Sequence, residues 1–287
     1  MAFSPSQIDT AQKNLPARPP AINVLFVSVK FTILGSGSAG NCAYLETAEA
    51  RILVDAGFSP RQIRQRLAAI GRTPENLTAI LITHEHSDHI AGLTGIAQKL
   101  NIPIYCNRAT QEAFEFQLQK KFTCNLFTTG ASFEIADTRV DTFSIPHDAQ
   151  DPVGYLIRTA AGNFGFATDL GHVTKLVLER IRIANVLVLE SNHDVKMLQE
   201  CPRRSWALKQ RILGRHGHIS NVTAAETVAQ IMSADLKQLY LAHLSRECNK
   251  PELAEHVMAE QLHHIGAKHV AMQIAAQEAP CGTLELP

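Results

Sequence analysis

None of the six cysteines (Cys42, Cys106, Cys124, Cys201, Cys248 and Cys281) stands in a CxxC pair, and their spacing repeats no disulfide framework. This excludes a small stapled secreted scaffold and reads as reduced thiols in a cytoplasmic protein. Cys248 lies near His243 and reads as a packed thiol rather than a ligand. Aromatic residues are only 6% of the chain and Trp206 is the sole tryptophan, so no base-stacking platform is evident. Lys and Arg number 27 against 27 Asp and Glu, so no global basic field attracts nucleic acid. No apolar run reaches membrane-span length, which argues against a membrane partner, and no internal repeat is visible. The 45% of apolar residues in 287 is enough for a substantial core.

Against that plain background stands Thr83-His84-Glu85-His86-Ser87-Asp88-His89. It places three imidazoles and the Asp88 carboxylate directly after the apolar run 77–83, which reads as a buried strand. Imidazole together with carboxylate suits Zn, Mn or Fe. His84 and His86 can turn toward one ion. Asp88 and His89, opening a helix expected over 87–100, can turn toward a second. The same pattern recurs more weakly: Asp55, His147, Asp169 and His243 each follow an apolar strand-like run. Site residues are commonly presented at such strand ends.

Gly35-Ser-Gly-Ser-Ala-Gly40 matches the dinucleotide-binding pattern, with Asp55 at the distance of a ribose-binding acid. That reading needs a helix at the glycines. Residues 41–46 instead alternate and lead through a short gap to a second apolar run, so a β-hairpin with a tight glycine loop is expected. Helices are expected over 60–70, 87–100, 108–120, 173–182, 205–213, 223–233 and 251–265. Charge is segregated locally: residues 201–225 hold no acid but Arg203, Arg204, Lys209, Arg211 and Arg215, and residues 56–74 hold no acid but Arg61, Arg64, Arg66 and Arg72. The first of these segments adjoins His218-Ile-Ser220, and with it Arg211 and Arg215 become candidates for phosphate contact.

Asp55, the His84-x-His86-x-Asp88-His89 run, His147, Asp169 and His243, in that order, resemble the metallo-β-lactamase superfamily over about 31–287. The resemblance implies an α/β fold, a four-layer αβ/βα sandwich of two mixed sheets with helices on both outer faces. It implies that His84, His86 and His147 hold one divalent ion, that Asp88, His89 and His243 hold another, that Asp169 bridges both, and that Asp55 fixes the ligand loop. A true β-lactamase usually has Cys at the Asp169 position and a flavodiiron reductase has Glu at the His86 position; neither fits. Phe31–Asn41, Val54–Gly57, Pro146–Ala149 with Asp151–Gly154, Glu190–Asp194, Gly217–Asn221 and Leu241–Arg246 are together similar to the YycJ/WalJ branch, from which Ser191 (commonly Ala) and the N-terminal extension depart. That branch implies a DNA phosphodiesterase, in which a hydroxide held between two ions attacks in line. Asp88 joins His193 and His218 as catalytic candidates, the histidines contacting phosphate or protonating the leaving group. Ser36, Ser38, Asn41, Ser220 and Asn221 are implied phosphate contacts. The expected function is thus a 5′-to-3′ DNA exonuclease with two divalent ions, Zn or Mn or Fe, in the cytoplasm. The same ligand set also serves glyoxalase II-type thioester or lactone hydrolases, and a non-catalytic metal-binding accessory is the third reading.

Residues 1–20 are polar, contain proline and lack periodicity, so 1–28 reads as a disordered extension before a single domain over 29–287. Residues 21–29 resemble a secretory core but lack a small-residue cleavage site and run on into Phe31, so a first strand is expected there. Translation from a start codon at Val29 is a further expectation.

Overall fold

The computed structural model describes Met1 and residues 28–287, in which two seven-stranded sheets pack face to face. Apart from those two terminal positions, the expected disordered extension lies outside the described residues, as does the expected strand before Ser28. In chain order, the first sheet takes β1 (Val29–Gly35), β2 (Cys42–Glu46), β3 (Arg51–Val54), β4 (Ala79–Leu81), β5 (Ile104–Asn107) and β6 (Cys124–Phe127). The second takes β7 (Ser132–Ile135), β8 (Thr138–Ser144), β9 (Val153–Thr159), β10 (Gly162–Ala167), β11 (Val186–Glu190), β12 (Gln238–Ala242) and β13 (Ala271–Ile274). The last strand, β14 (Leu284–Leu286), returns to pair antiparallel with β1. β1, β2 and β3 form an antiparallel meander, so the glycine segment opens a hairpin rather than a nucleotide-binding crossover. β3 to β6 run parallel, as do β10 to β13.

Strand alternation explains the layers. Along β1, Val29, Phe31 and Ile33 face the second sheet while Leu34 faces outward. Along β11, Val186 and Val188 face inward while Leu187 and Leu189 face outward. Both faces of the central strands are therefore apolar, as sheets covered on both sides require. The outer face of the first sheet is covered by α1 (Pro60–Ala69), the short α2 (Ser87–Ile90) and α3 (Arg108–Leu118). The second is covered by α4 (Lys175–Ile181), α7 (Asn221–Ile231) and α8 (Pro251–His264), while α5 (Val195–Glu200) and α6 (Trp206–Leu213) pack on a small separate cluster. This is the four-layer sandwich that the sequence implied.

Phe31 is fully buried between the sheets, its ring centroid 5.4 Å from those of Phe164 and Tyr240 and 5.8 Å from that of Phe166. Phe31→Ala is expected to lower unfolding free energy by about 3–5 kcal/mol, measured by urea denaturation.

One expectation is corrected here. The helix over 87–100 is broken: α2 stops at Ile90, and a π-helical turn follows at Thr94–Gln98. Gly92 donates to Ala56 O at 2.8 Å, and a Cβ there would meet Phe58 O at 2.7 Å, so the segment is pressed onto the start of α1 and cannot wind evenly. The basic segment 56–74 serves the scaffold: the Arg66 guanidinium donates to Leu34 O and Gln277 O and stacks on Phe58, Arg72 pairs with Glu46, and Arg64 pairs with Glu75. The helix α5 was not foreseen; Asp194 caps it.

Candidate metal centre

Parallel strands end on the same side, and the polar residues that follow them meet where the two sheets open. Asp55 follows β3, His84 follows β4, His147 follows β8, Asp169 follows β10 and His243 follows β12. Asp55, Asp169 and His243 adopt left-handed backbone conformations, with φ of 61°, 56° and 57°. Such a residue costs about 1–3 kcal/mol unless its surroundings dictate it, and three of them at one site mark where the scaffold aims side chains inward. Gly57 allows the 55–58 turn to lie against the ligand loop, since a Cβ there would meet Asp88 O at 1.6 Å. Gly57→Ala is expected to displace that loop and lower both metal affinity and thermal stability, read by metal titration and thermal melting.

The tautomers follow from the partners. Asp55 accepts from Thr83 N–H, from Thr83 Oγ1 and from His89 Nδ1, the last at 2.7 Å. A carboxylate only accepts, so Nδ1 of His89 carries a proton and Nε2 points inward. Because Thr83 donates its hydroxyl proton to Asp55, its oxygen accepts from His84 Nδ1 at 3.0 Å, leaving His84 Nε2 as a free lone pair. His147 Nδ1 donates to Gly217 O at 3.2 Å. His243 Nδ1 donates to Glu190 at 2.9 Å.

Four groups of ligand atoms result, each within 4.8 Å: His84, His86 and His147; Asp88, His89 and His243; His84, His89 and Asp169; and Asp169, Glu190, His218 and His243. Asp169 thus stands between the first two, 3.3 Å from His89 Nε2 and 3.8 Å from His147 Nε2. His84 Nε2, Asp169 Oδ2 and His243 Nε2 are buried without any hydrogen-bond partner. An unsatisfied buried polar atom costs about 1–3 kcal/mol, and a cation bound among these three would satisfy all of them. The residues fit divalent metal: they are imidazoles and carboxylates, and His84, His89, His147 and His243 are each held through Nδ1.

The electrostatics agree. Burial opposes protonation of His89, but Asp55, Asp169 and Asp88 outweigh it and hold its pKa well above the usual histidine range. Burial likewise opposes protonation of His243, and Asp169, Asp88 and Glu190 outweigh it. Burial raises and these histidines lower the Asp88 and Asp169 carboxyls, and the histidines win. Positive charge is therefore favoured at the centre of this cluster, where protons stand in for a cation. For His84 and His147 burial outweighs the carboxylates and pushes the pKa down.

Glu190 was quoted within a motif but given no role by sequence reasoning. It is fully buried and accepts four hydrogen bonds: from Leu170 N–H and Ile219 N–H at 3.0 Å each, from His218 Nδ1 at 2.8 Å and from His243 Nδ1 at 2.9 Å. The only sequence signal was a carboxylate closing an otherwise wholly apolar strand.

A pocket of about 210 Å³ opens onto the cluster, lined by His86, Asp88, His147, Asp169, His218 and His243 with Ser38, Arg204 and Arg211. Ser38 and Arg211 thus line the pocket, Arg211 paired with Asp148. Other implied phosphate contacts do not. Ser36 donates to Asn41 Oδ1 at 2.8 Å and accepts from His243 N–H at 2.9 Å. The Asn41 amide faces Asp88 and His89. Ser220 caps α7, and Asn221 is bound by Ser191 and Asn249. These four steady the ligand loops rather than face the pocket. Arg215 is exposed beside His172, outside the pocket. His193 is buried away from the pocket lining, and burial pushes its pKa down to about 4, so it carries no proton to donate at neutral pH.

The beta-lactamase superfamily domain matches residues 50–244. The exodeoxyribonuclease WalJ of Streptococcus pneumoniae is 40% identical over 240 residues, 82% of this chain and 89% of that protein. The exodeoxyribonuclease YycJ of Bacillus anthracis is 36% identical over 245 residues, 84% of this chain and 91% of that protein. Among solved structures, the metallo-β-lactamase fold protein YhfI of Bacillus subtilis superposes with a TM-score of 0.67 at 17% identity, covering 90% of this chain and 99% of that one, a likeness of fold alone. The chain belongs to the metallo-β-lactamase superfamily and, within it, to the family of WalJ and YycJ. It is a metal-dependent hydrolase with a divalent-metal site. Among the described residues no helix is long and apolar enough to cross a membrane.

Proposed function

We propose that this protein is a DNA exonuclease that removes nucleotides in the 5′-to-3′ direction with two divalent ions, Mn or Zn. The observation that carries this is the meeting of the His/Asp cluster and the acid-free basic segment in one pocket, with the carboxylate-rich floor at Asp88 and Asp169 and the guanidinium groups of Arg204 and Arg211 on the wall. The relatives named for exodeoxyribonuclease activity support it. His84, His86 and His147 would hold one ion, Asp88, His89 and His243 the other, with Asp169 between them. Bound there, two ions would supply an acidified attacking water and neutralise charge on the phosphate.

The chain's own residues do the rest. Arg211 receives the backbone phosphate as Asp148 yields it, a charge-assisted contact. His218 lines the pocket with Nδ1 fixed on Glu190, and Glu190 outweighs burial to raise its pKa, the direction that a proton donor to the leaving oxygen needs. Six free thiols suit a cytoplasmic setting.

The test is metal-free protein reconstituted separately with Mn and Zn and given end-labelled linear duplex DNA, with His86→Ala as control. Mononucleotides released from 5′ ends only by the wild type are expected. No DNA cleavage with either ion, together with acyl-thioester hydrolysis by the same preparation, would overturn the nuclease reading.

A further inference from the structure

Behind the pocket wall, Cys201 and Cys248 pack against each other in a small cluster with Leu198, and Ile212 of α6 covers them. Cys201 ends α5, three residues before Arg204. Cys248 belongs to the loop that carries His243, where its N–H donates to Ser245 Oγ at 3.2 Å and its carbonyl accepts from Asp194 N–H at 2.9 Å. Ile212, Arg204, Ser245 and Asn192 all line the metal pocket. The two thiols therefore join the two segments that shape one side of that pocket, and neither is a ligand in any cluster of the site.

We propose that Cys201 and Cys248 form a reversible dithiol–disulfide pair through which peroxide controls access to the metal pocket. Cys201 is the attacking sulfur. The backbone N–H groups of Arg203 and Arg204 and the Cys248 thiol outweigh burial and lower its pKa, whereas burial raises that of Cys248. The Cys201 thiolate attacks one oxygen of hydrogen peroxide, the O–O bond breaks, and sulfenic acid and water result. The Cys248 thiol then displaces the second water, forming the S–S bond. In sum two thiols and one peroxide give one disulfide and two waters, and a dithiol reductant reverses it by exchange. The covalent link ties the end of α5 to the His243 loop and pulls on Ile212 and Arg204 at the wall. Cys106 and Cys124 also touch, on the outer face of the first sheet, but the contact with Cys124 and burial raise the Cys106 thiol far above the usual range. That pair serves as an internal reference.

The experiment treats the full-length, manganese-loaded protein with hydrogen peroxide and maps cysteine pairs by non-reducing peptide mass spectrometry, alongside its rate on linear duplex DNA. A Cys201–Cys248 peptide pair two hydrogens lighter than its thiols is expected, with a severalfold fall in rate and return of both by dithiothreitol. Cys201→Ser and Cys248→Ser proteins, each made separately, are expected to keep their rate under peroxide. Oxidation that leaves this pair unlinked while other thiols react overturns the proposal; so does a complete link with unchanged rate. The rate arm rests on the nuclease reading, whereas the mass arm does not, so the two can fail separately.

Discussion

Asp169→Asn is expected to abolish hydrolysis while leaving the protein folded. Asp169 lies between the two imidazole groups, and its Oδ2 is buried without a partner. The amide keeps the shape and, like Asp, tolerates the left-handed φ of 56° found there. It removes one of the negative charges that draw cations into the cluster. Metal catalysis contributes several kcal/mol to such reactions, and each ~1.4 kcal/mol is tenfold, so the rate should fall roughly a thousandfold or more. Calorimetric metal titration should show fewer ions bound, and far-ultraviolet circular dichroism should stay unchanged. Asp169→Ala is a poorer test, because alanine at that φ adds backbone strain. Asp88→Ala is also cleaner than His89→Ala. Removing the His89 ring leaves Asp55 without its Nδ1–H donor in a buried place, and the fold suffers with the site. Asp88→Ala with wild-type rate would sink the ligand assignment.

The ligand run was legible because its residue types are improbable at the end of a buried strand. Parallel strands also order their C-terminal ends along one edge, so Asp55, His84, Asp169 and His243 come together by topology alone. Contact is harder to read from chemistry without distance. Ser36, Asn41, Ser220 and Asn221 are polar, close to the site and hydrogen-bonding, yet their partners are the ligand loops themselves. Nothing in a one-dimensional spacing separates a hydroxyl that faces substrate from one that caps a helix. Arg66 shows the same limit: its place in an acid-free run does not reveal that its guanidinium reaches Leu34 O and Gln277 O. The helix over 87–100 failed because its interruption comes from packing against α1 rather than from its own propensities.

Glu190 is the residue on which the second large effect turns. Glu190→Gln is expected to weaken metal binding and turnover by about 10–100-fold, the usual result of removing the group that orients a ligand. All four of its hydrogen bonds are to donors. The amide can satisfy only one side as an acceptor; its NH2 must then face either the two imidazole Nδ1–H groups or the two backbone N–H groups, donor against donor. Facing the imidazoles, it would drive His243 to the other tautomer and move the lone pair off the inward nitrogen. Acid stability gives an independent readout in metal-free protein. Burial raises the Glu190 carboxyl, but His218 and His243 outweigh it and hold it down to about 2 from an ordinary 4.5. A carboxylate depressed in the folded state stabilises it above the ordinary value, and that stability is lost as pH falls through the folded one. The wild type should therefore lose stability between about pH 4.5 and 2, and the Gln variant should show a shallower slope over that window in urea titrations. Equal slopes, with metal affinity unchanged, would mean that His243 holds its orientation without Glu190.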